Sequence, residues 1–324
     1  MHPFIRSYRG SGPILLEMPH SGRLGLETLN NVPKVLASKV RFVSEAVRRT
    51  IGFGCDSAVP DLSGFINLVS VSRLSGISND LARVYCDTNR GRNEVSGLAL
   101  EGRPMNEHQN GVIWARTVPT GLDLTRSIEE LEHIVNTQCE PILNKPLSAI
   151  EFEELMGQVY DPYHAEICAH QQRIIDQHGF FIHLALHTLP PLSPAKIHGG
   201  YVCGQKATRG PYDPEHNTLP DVILIHNGFD EKTMSADKVL IDRVRYAFES
   251  AGLIVESGIG PFLGNIGVTK LYGNPARGRN IIGIEHVTHD IEPKRHLGNP
   301  FVDTKKAMAL RPVYAKVIEY LLQE

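Results

Sequence analysis

Three apolar runs in this chain each lead into a residue able to bind a metal or move a proton. Ile14, Leu15, Leu16 and Met18 run into Pro19-His20-Ser21-Gly22. Phe180 to Leu186 runs into His187-Thr188-Leu189-Pro190-Pro191, and Asn280 to Ile284 runs into Glu285-His286. Proline cannot continue a central strand, so the first two runs read as buried strands that stop in turns. Ligands of open α/β sheets sit outside the carboxyl ends of strands. Two histidines and a glutamate gathered there are what a hydrolytic metal site needs. A lone carboxylate is costly on a buried strand, which singles out Glu285. The competing reading of Glu285 is an ion pair with Arg277 or Arg279.

Two further motifs carry polar chemistry. In Asp87-Thr88-Asn89-Arg90, the guanidinium is a planar fork that grips a carboxylate with two hydrogen bonds, and the neighbouring amide adds a donor. Asp87 would hold the arginine, and Arg83, just upstream, is a candidate second anion anchor. In Tyr160-Asp161-Pro162-Tyr163-His164, an imidazole stands among aromatic residues beside a helix-breaking proline. Ser257 to Gly264 departs from a dinucleotide fingerprint: its third glycine comes one place late, and Pro261 and Phe262 crowd the turn.

The elements that must position these groups follow from periodicity. Lys34 to Thr50 reads as a helix, Ile66 to Val71 and Ala82 to Cys86 as strands, and Asp87 to Gly121 as long loops with a short strand near Val112 to Trp114. Leu124 to Leu143 reads as a helix. Ser148 and Glu151 form a capping box that opens another, which Pro162 kinks or divides before Gly179 ends it. A Pro- and Gly-rich loop over Pro190 to Pro220 precedes a strand at Asp221 to Ile225. Then come a helix at Ala236 to Ser250, a strand at Leu253 to Glu256 and a last helix at Thr304 to Leu322. Strands alternating with helices predict an α/β chain, a three-layer αβα sandwich around a mixed, mostly parallel sheet. No repeat or shift in composition interrupts it, so one domain over residues 1–324 is expected.

Composition narrows the classes of function. The chain has 324 residues, 41% of them hydrophobic, and a formal charge of −3, which argues against a nucleic-acid or anionic-membrane partner. Its five cysteines form no CxxC pair, which fits reduced thiols in a cytoplasmic protein. The polar start lacks a signal-peptide core, and no run of about 18 apolar residues exists to span a membrane.

Taken in order, the motifs resemble those of the N-formylglutamate amidohydrolase family. These are Pro19 to Gly22, Asp87 to Arg90, Tyr160 to His164, Leu184 to His187, Gly260 to Gly264 and Ile284-Glu285, with Pro146-Leu147-Ser148 and Tyr272 to Pro275 beside them. The likeness runs from Gly12 to about His289. That family is similar in fold to zinc carboxypeptidases and aspartoacylase. The resemblance implies one Zn²⁺ per chain, held by His20, His187 and one carboxylate. Glu45 is the nearest carboxylate in the helix where the family carries its acidic ligand, and Glu27 lies closer to His20 in sequence. Asn89 and Arg90, with Arg83 as the further anchor, would bind the substrate's carboxylate. Glu285 would be the general base, and His164 either a donor to the oxyanion or a metal ligand. The expected activity is hydrolysis of the amide of a small N-acylated acidic amino acid, N-formyl in the family's case. The alternative is a non-catalytic member of the fold that binds a carboxylate ligand.

Overall fold

The computed structural model describes residues 2–22, 24, 32–40, 46–48, 50, 55–56, 73–105, 111–117, 133, 139–189, 201–202, 205–206, 220–227, 233–257, 267–288, 291 and 302–322. Its centre is a seven-stranded sheet in the order β1-β3-β2-β4-β9-β7-β8. The strands are β1 (Ile5–Tyr8), β2 (Ile14–Met18), β3 (Leu74–Asn79), β4 (Phe181–Leu189), β7 (Val222–Ile225), β8 (Val255–Ser257) and β9 (Arg279–Val287). The pairs β3–β2, β2–β4, β4–β9 and β7–β8 are parallel, whereas β1 and β7 run antiparallel to β3 and β9. A separate small hairpin pairs β5 (Tyr201–Val202) with β6 (Gln205–Lys206).

Alternation along the strands sends side chains into two cores. Leu15, Ile77, Phe181, Ala185 and Ile281 meet α2 (Ala149–Leu155) and α3 (Asp161–His178) through Phe152, Leu155, Tyr163 and Ile167. Leu16, Leu184, Val222 and Ile284 meet α4 (Lys238–Glu249) and the C-terminal helices on the other face, through Val244, Phe248, Val317 and Leu321. Helices cover both faces of a mixed sheet, as the alternating pattern predicts. Both sides of β4 are buried over its whole length, which explains its near-continuous apolar run. No helix among the described residues is long and apolar enough to cross a membrane.

Local chemistry accounts for several element ends. Ser148 accepts from the Glu151 backbone and Glu151 reaches back to the Ser148 N–H, the expected capping box. Pro162 does not break the chain's helical path. One π-helical turn (Met156–Tyr160) joins α2 to α3 and leaves Pro162 in the first turn of α3, where its missing N–H costs no hydrogen bond. The last expected helix divides into α5 (Thr304–Ala309) and α6 (Arg311–Leu321), with Pro312 in the first turn of α6.

Some expectations fail. The helix expected over Lys34 to Thr50 is interrupted: α1 (Lys34–Ala37) stops at Ser38, and the described residues 46–48 and 50 are helical again. Ala82 to Cys86 is not a strand but a turn whose buried apolar side chains pack under loops. Val112 to Trp114 forms no strand, and Cys139 to Leu143 is not helical. Strand β3 was not foreseen, because its Ser, Gly and Asn residues hide a fully buried strand. Ile66 to Val71, Glu27, Glu45 and Gly260 to Gly264 lie outside the described residues.

Candidate metal and catalytic site

The two histidines at strand ends do meet. β2 ends at Met18, and the following turn places His20 against the β3 side of the sheet. Gly22 makes that approach close: a Cβ there would stand 2.3 Å from the Asp80 carbonyl carbon. β4 carries His187 on the same face as Glu17 and Ala185. The two Nδ1 atoms are 3.1 Å apart, and both imidazoles are buried.

A third group completes the cluster. Asp56 Oδ2 lies 3.1 Å from His187 Nδ1 and 3.3 Å from His20 Nδ1. Its backbone N–H donates to the His20 carbonyl, and the Cys55 thiol reaches the Ser21 carbonyl, so this segment is bonded to the turn. Sequence reasoning missed Asp56. It stands in a Gly-rich stretch without periodicity, and long-range bonds to the His20 turn bring it to the site. The sole signal was the need for one carboxylate.

The donor set suits a cation. Four ligands at about 2.0–2.1 Å around a tetrahedral ion lie about 3.3–3.4 Å from one another, close to the three separations observed here. His20 Nε2 donates to Asp87 Oδ1 at 2.8 Å, which leaves its Nδ1 as a lone pair facing the other ring. Two imidazole nitrogens at 3.1 Å require a proton or a cation between them. Burial and the Arg83 charge hold His20 below its ordinary value, despite Asp87 and Asp56. Burial also opposes charge on His187, but the Asp56 hydrogen bond and the charges of Glu285, Asp56 and Glu17 lift it above its ordinary value. In the metal-free chain the proton therefore belongs to His187.

Asp87 orients His20 as an outer carboxylate orients a metal-binding histidine. It also accepts both Nε and Nη2 of Arg83, at 3.0 and 2.7 Å, and the Asn89 backbone N–H at 3.0 Å. Arg83 lies over the Trp114 ring. Its fork is thus turned to Asp87, which differs from the substrate-anchoring role expected of it. Burial raises the Asp87 carboxyl, but Arg83, His20 and Arg90 hold it well below its ordinary 3.8. Asp87→Asn is expected to cost about 3–5 kcal/mol at neutral pH, because it breaks the pair between the fully buried Asp87 and the half-buried Arg83. A depressed folded-state value means that this contribution is fully present above about pH 4 and is lost as pH falls through that value. Denaturant unfolding measured against pH should bring variant and wild type together only in strong acid.

Asn89 is tied at both ends of its amide. Its Oδ1 accepts the Val268 N–H at 2.9 Å, so its Nδ2 faces His187 Nε2 at 3.4 Å. Gly267 permits this contact: it has φ +50, and a Cβ there would fall 1.7 Å from Asn89 Oδ1. Arg90 is half-buried, with Nη1 donating to the Asn89 carbonyl and its own carbonyl accepting from the Tyr160 hydroxyl.

Glu285 lies in register with His187 across the β4–β9 pair, and it is half-buried. Parallel neighbours stand about 4.8 Å apart and point to the same face, so its carboxylate is beside the cluster without belonging to it. Arg279 is at the far end of the strand, six residues away. That is roughly 20 Å in extended chain, too far for the ion pair considered from sequence, and Arg277 lies in the 3-10 turn (Pro275–Arg277) that precedes that end of the strand. His164 sits outside the three-residue group. Its ring packs against Tyr160, Tyr163 and Tyr272, and its Nδ1 shares a hydrogen bond with the Tyr272 hydroxyl. Burial outweighs the nearby Glu17 and Asp161 charges and holds His164 below its ordinary value. His286 faces the opposite core, 3.4 Å from the Tyr314 hydroxyl.

The family profile of N-formylglutamate amidohydrolase matches residues 12–289. The chain belongs to that family. It is accordingly an amide-hydrolysing enzyme. A crystal structure of N-formylglutamate amidohydrolase from Ralstonia eutropha aligns over 98% of both chains with a TM-score of 0.64 and 19% identity. That of a gene product from Agrobacterium tumefaciens aligns over 98% of this chain and 96% of its own, with a TM-score of 0.54 and 13% identity. At those identities the likeness is one of fold. No curated protein matches the chain at a significant level. The N-formylglutamate amidohydrolase match spans each group described above, from the His20 turn to Glu285.

Proposed function

We propose that this family member hydrolyses the amide of an N-acylated, N-formyl-type, acidic amino acid with the help of one zinc ion. The observation that carries the reading is the buried His20–Asp56–His187 triangle, with Glu285 in register beside it. Bound there, zinc supplies Lewis acidity toward the amide carbonyl and a water activated at neutral pH. Glu285 takes a proton from the attacking water. As the C–N bond breaks, it returns that proton to the leaving nitrogen, giving a carboxylic acid and the free amino acid. His164 stands outside the triangle, so the role left to it is hydrogen bonding to the carbonyl oxygen. Asn89 presents its Nδ2 toward the site, and Arg90 provides the fork for the substrate's carboxylate. Holding that end fixes the scissile bond over the triangle.

The non-catalytic alternative rested on the want of a carboxylate ligand, and Asp56 removes that motive. The test is metal content of protein purified without added zinc, together with turnover of N-formylglutamate before and after chelation. Arg90→Lys is expected to raise KM for this acidic substrate by about 10–100-fold, the loss of one charge-assisted hydrogen bond of about 1.5–3 kcal/mol. kcat should change less. An unchanged KM would remove Arg90 from substrate binding.

A further inference from the structure

The loop that carries Arg90 is tied on two sides. Toward the triangle, the Arg90 backbone N–H donates to the Asp87 carbonyl at 3.2 Å, and the Asp87 side chain bonds His20. On the other side, the Tyr160 hydroxyl donates to the Arg90 carbonyl at 2.8 Å. Tyr160 is buried, and its ring lies against His164 with centroids 4.1 Å apart. Arg92, two residues on, bonds the exposed carboxylates of Glu153 on α2 and Asp161 on α3. Ion pairs of that exposed kind contribute little, so the buried tyrosine bond is the stronger tie. What brings Tyr160 to the loop is the π-helical turn (Met156–Tyr160) between α2 and α3. A π turn holds one residue more than an α turn, and such turns are rare and gather at functional sites. Each helical residue turns the chain by about 100°. Phe152 and Leu155 fix α2 against the core, so without the extra residue the Tyr160 hydroxyl would point away from Arg90.

We propose that Tyr160 is a positioning residue: its hydroxyl, delivered by the π turn, holds the Arg90 backbone where the guanidinium meets the substrate's carboxylate. A phenylalanine would fill the same apolar space, and the hydroxyl is what reaches the loop. An arginine fork grips a carboxylate with two parallel hydrogen bonds only in one plane and direction, so its backbone is the part that must not swing. Held at Asp87 alone, the loop keeps freedom to turn about that contact. The second bond removes this freedom before substrate arrives, and binding then costs less ordering. Because the same ring packs on His164, one side chain relates the anchor for the carboxylate to the group assigned to the carbonyl oxygen.

This role rests on the reading of Arg90 as the carboxylate anchor, and the experiment separates the two. kcat and KM for N-formylglutamate are measured on the full chain, with circular dichroism and melting temperature as the check on folding. Tyr160→Phe keeps the ring against His164 and removes only the hydroxyl. It is expected to raise KM by about 5–10-fold, the equivalent of roughly one hydrogen bond, with a smaller change in kcat. In the Arg90→Lys background the same substitution should add little, because residues that act through one contact are not additive. A purely structural role predicts a lowered melting temperature with KM unchanged. That result, beside a raised KM in Arg90→Lys, overturns the proposal and leaves the reading of Arg90 intact. A full further rise of KM in the Arg90→Lys background overturns it as well, since Tyr160 would then act elsewhere. If Arg90→Lys itself leaves KM unchanged, or wild type does not turn over the substrate, the reading fails and the role of Tyr160 with it.

Discussion

Glu285→Gln is expected to leave the fold and the zinc content nearly unchanged while lowering turnover by roughly 10²–10⁴, the share that a positioned general base usually contributes. The substitution keeps the shape of the side chain and removes its basicity. Two features of the sheet support the choice. Glu285 is the β9 residue in register with His187, so parallel pairing sets its backbone one strand spacing from that of His187 with the side chain on the same face. It is also half-buried, with access to water, whereas His20, Asp56 and His187 are buried. The competing structural role predicts the reverse pattern, lost stability and a retained rate. The register of β9 already separates Glu285 from Arg279. Turnover, melting temperature and metal content measured on one preparation decide the matter. Full activity with a lowered melting temperature would remove Glu285 from the mechanism.

Which parts of this arrangement were legible in the sequence has a physical pattern. His20, His187 and Glu285 were readable because each follows an apolar run at the end of a buried strand. Turn chemistry after such runs is a local signal. The capping box at Ser148 and the helix end at Gly179 were readable for the same reason. Asp56 was not, since its place depends on a backbone bond to His20, thirty-six positions earlier, and on no periodicity of its own. Arg83 was read as facing a substrate. Its apolar neighbours Ala82, Val84, Tyr85 and Cys86 suggested a strand, but they are buried by loop packing. The turn they form folds Arg83 back onto Asp87 four residues on. Strand β3 shows the converse. Sheet pairing with β1 and β2 makes a strand of a sequence poor in β-branched residues.

Asp56→Ala is expected to lower zinc affinity by more than the roughly 10–100-fold that loss of an outer partner costs. It removes one of three donors from a site that keeps an open position for substrate. Among the described residues, two histidines would remain in the group, with Nδ1 atoms 3.1 Å apart. The same substitution also takes from His187 the hydrogen-bond acceptor that favours its protonated form in the metal-free chain. Metal-free protein should therefore be less stable as well. Thermal unfolding with and without zinc reads both effects. Ligand binding to the native state alone stabilises by about 2.7 kcal/mol at a hundred times Kd, so wild type should show a clear upward shift on adding zinc. The Ala variant, starting from a lower melting temperature, should show little shift at the same concentration. His20→Ala should behave likewise toward zinc, since it removes a second corner of the same triangle. A variant at Asp56 that kept wild-type zinc content would place the third ligand on another carboxylate. Glu45 and Glu27, the two considered from sequence, would then be the next to replace, and the tetrahedral spacing of the triangle would owe its shape to the proton on His187 alone.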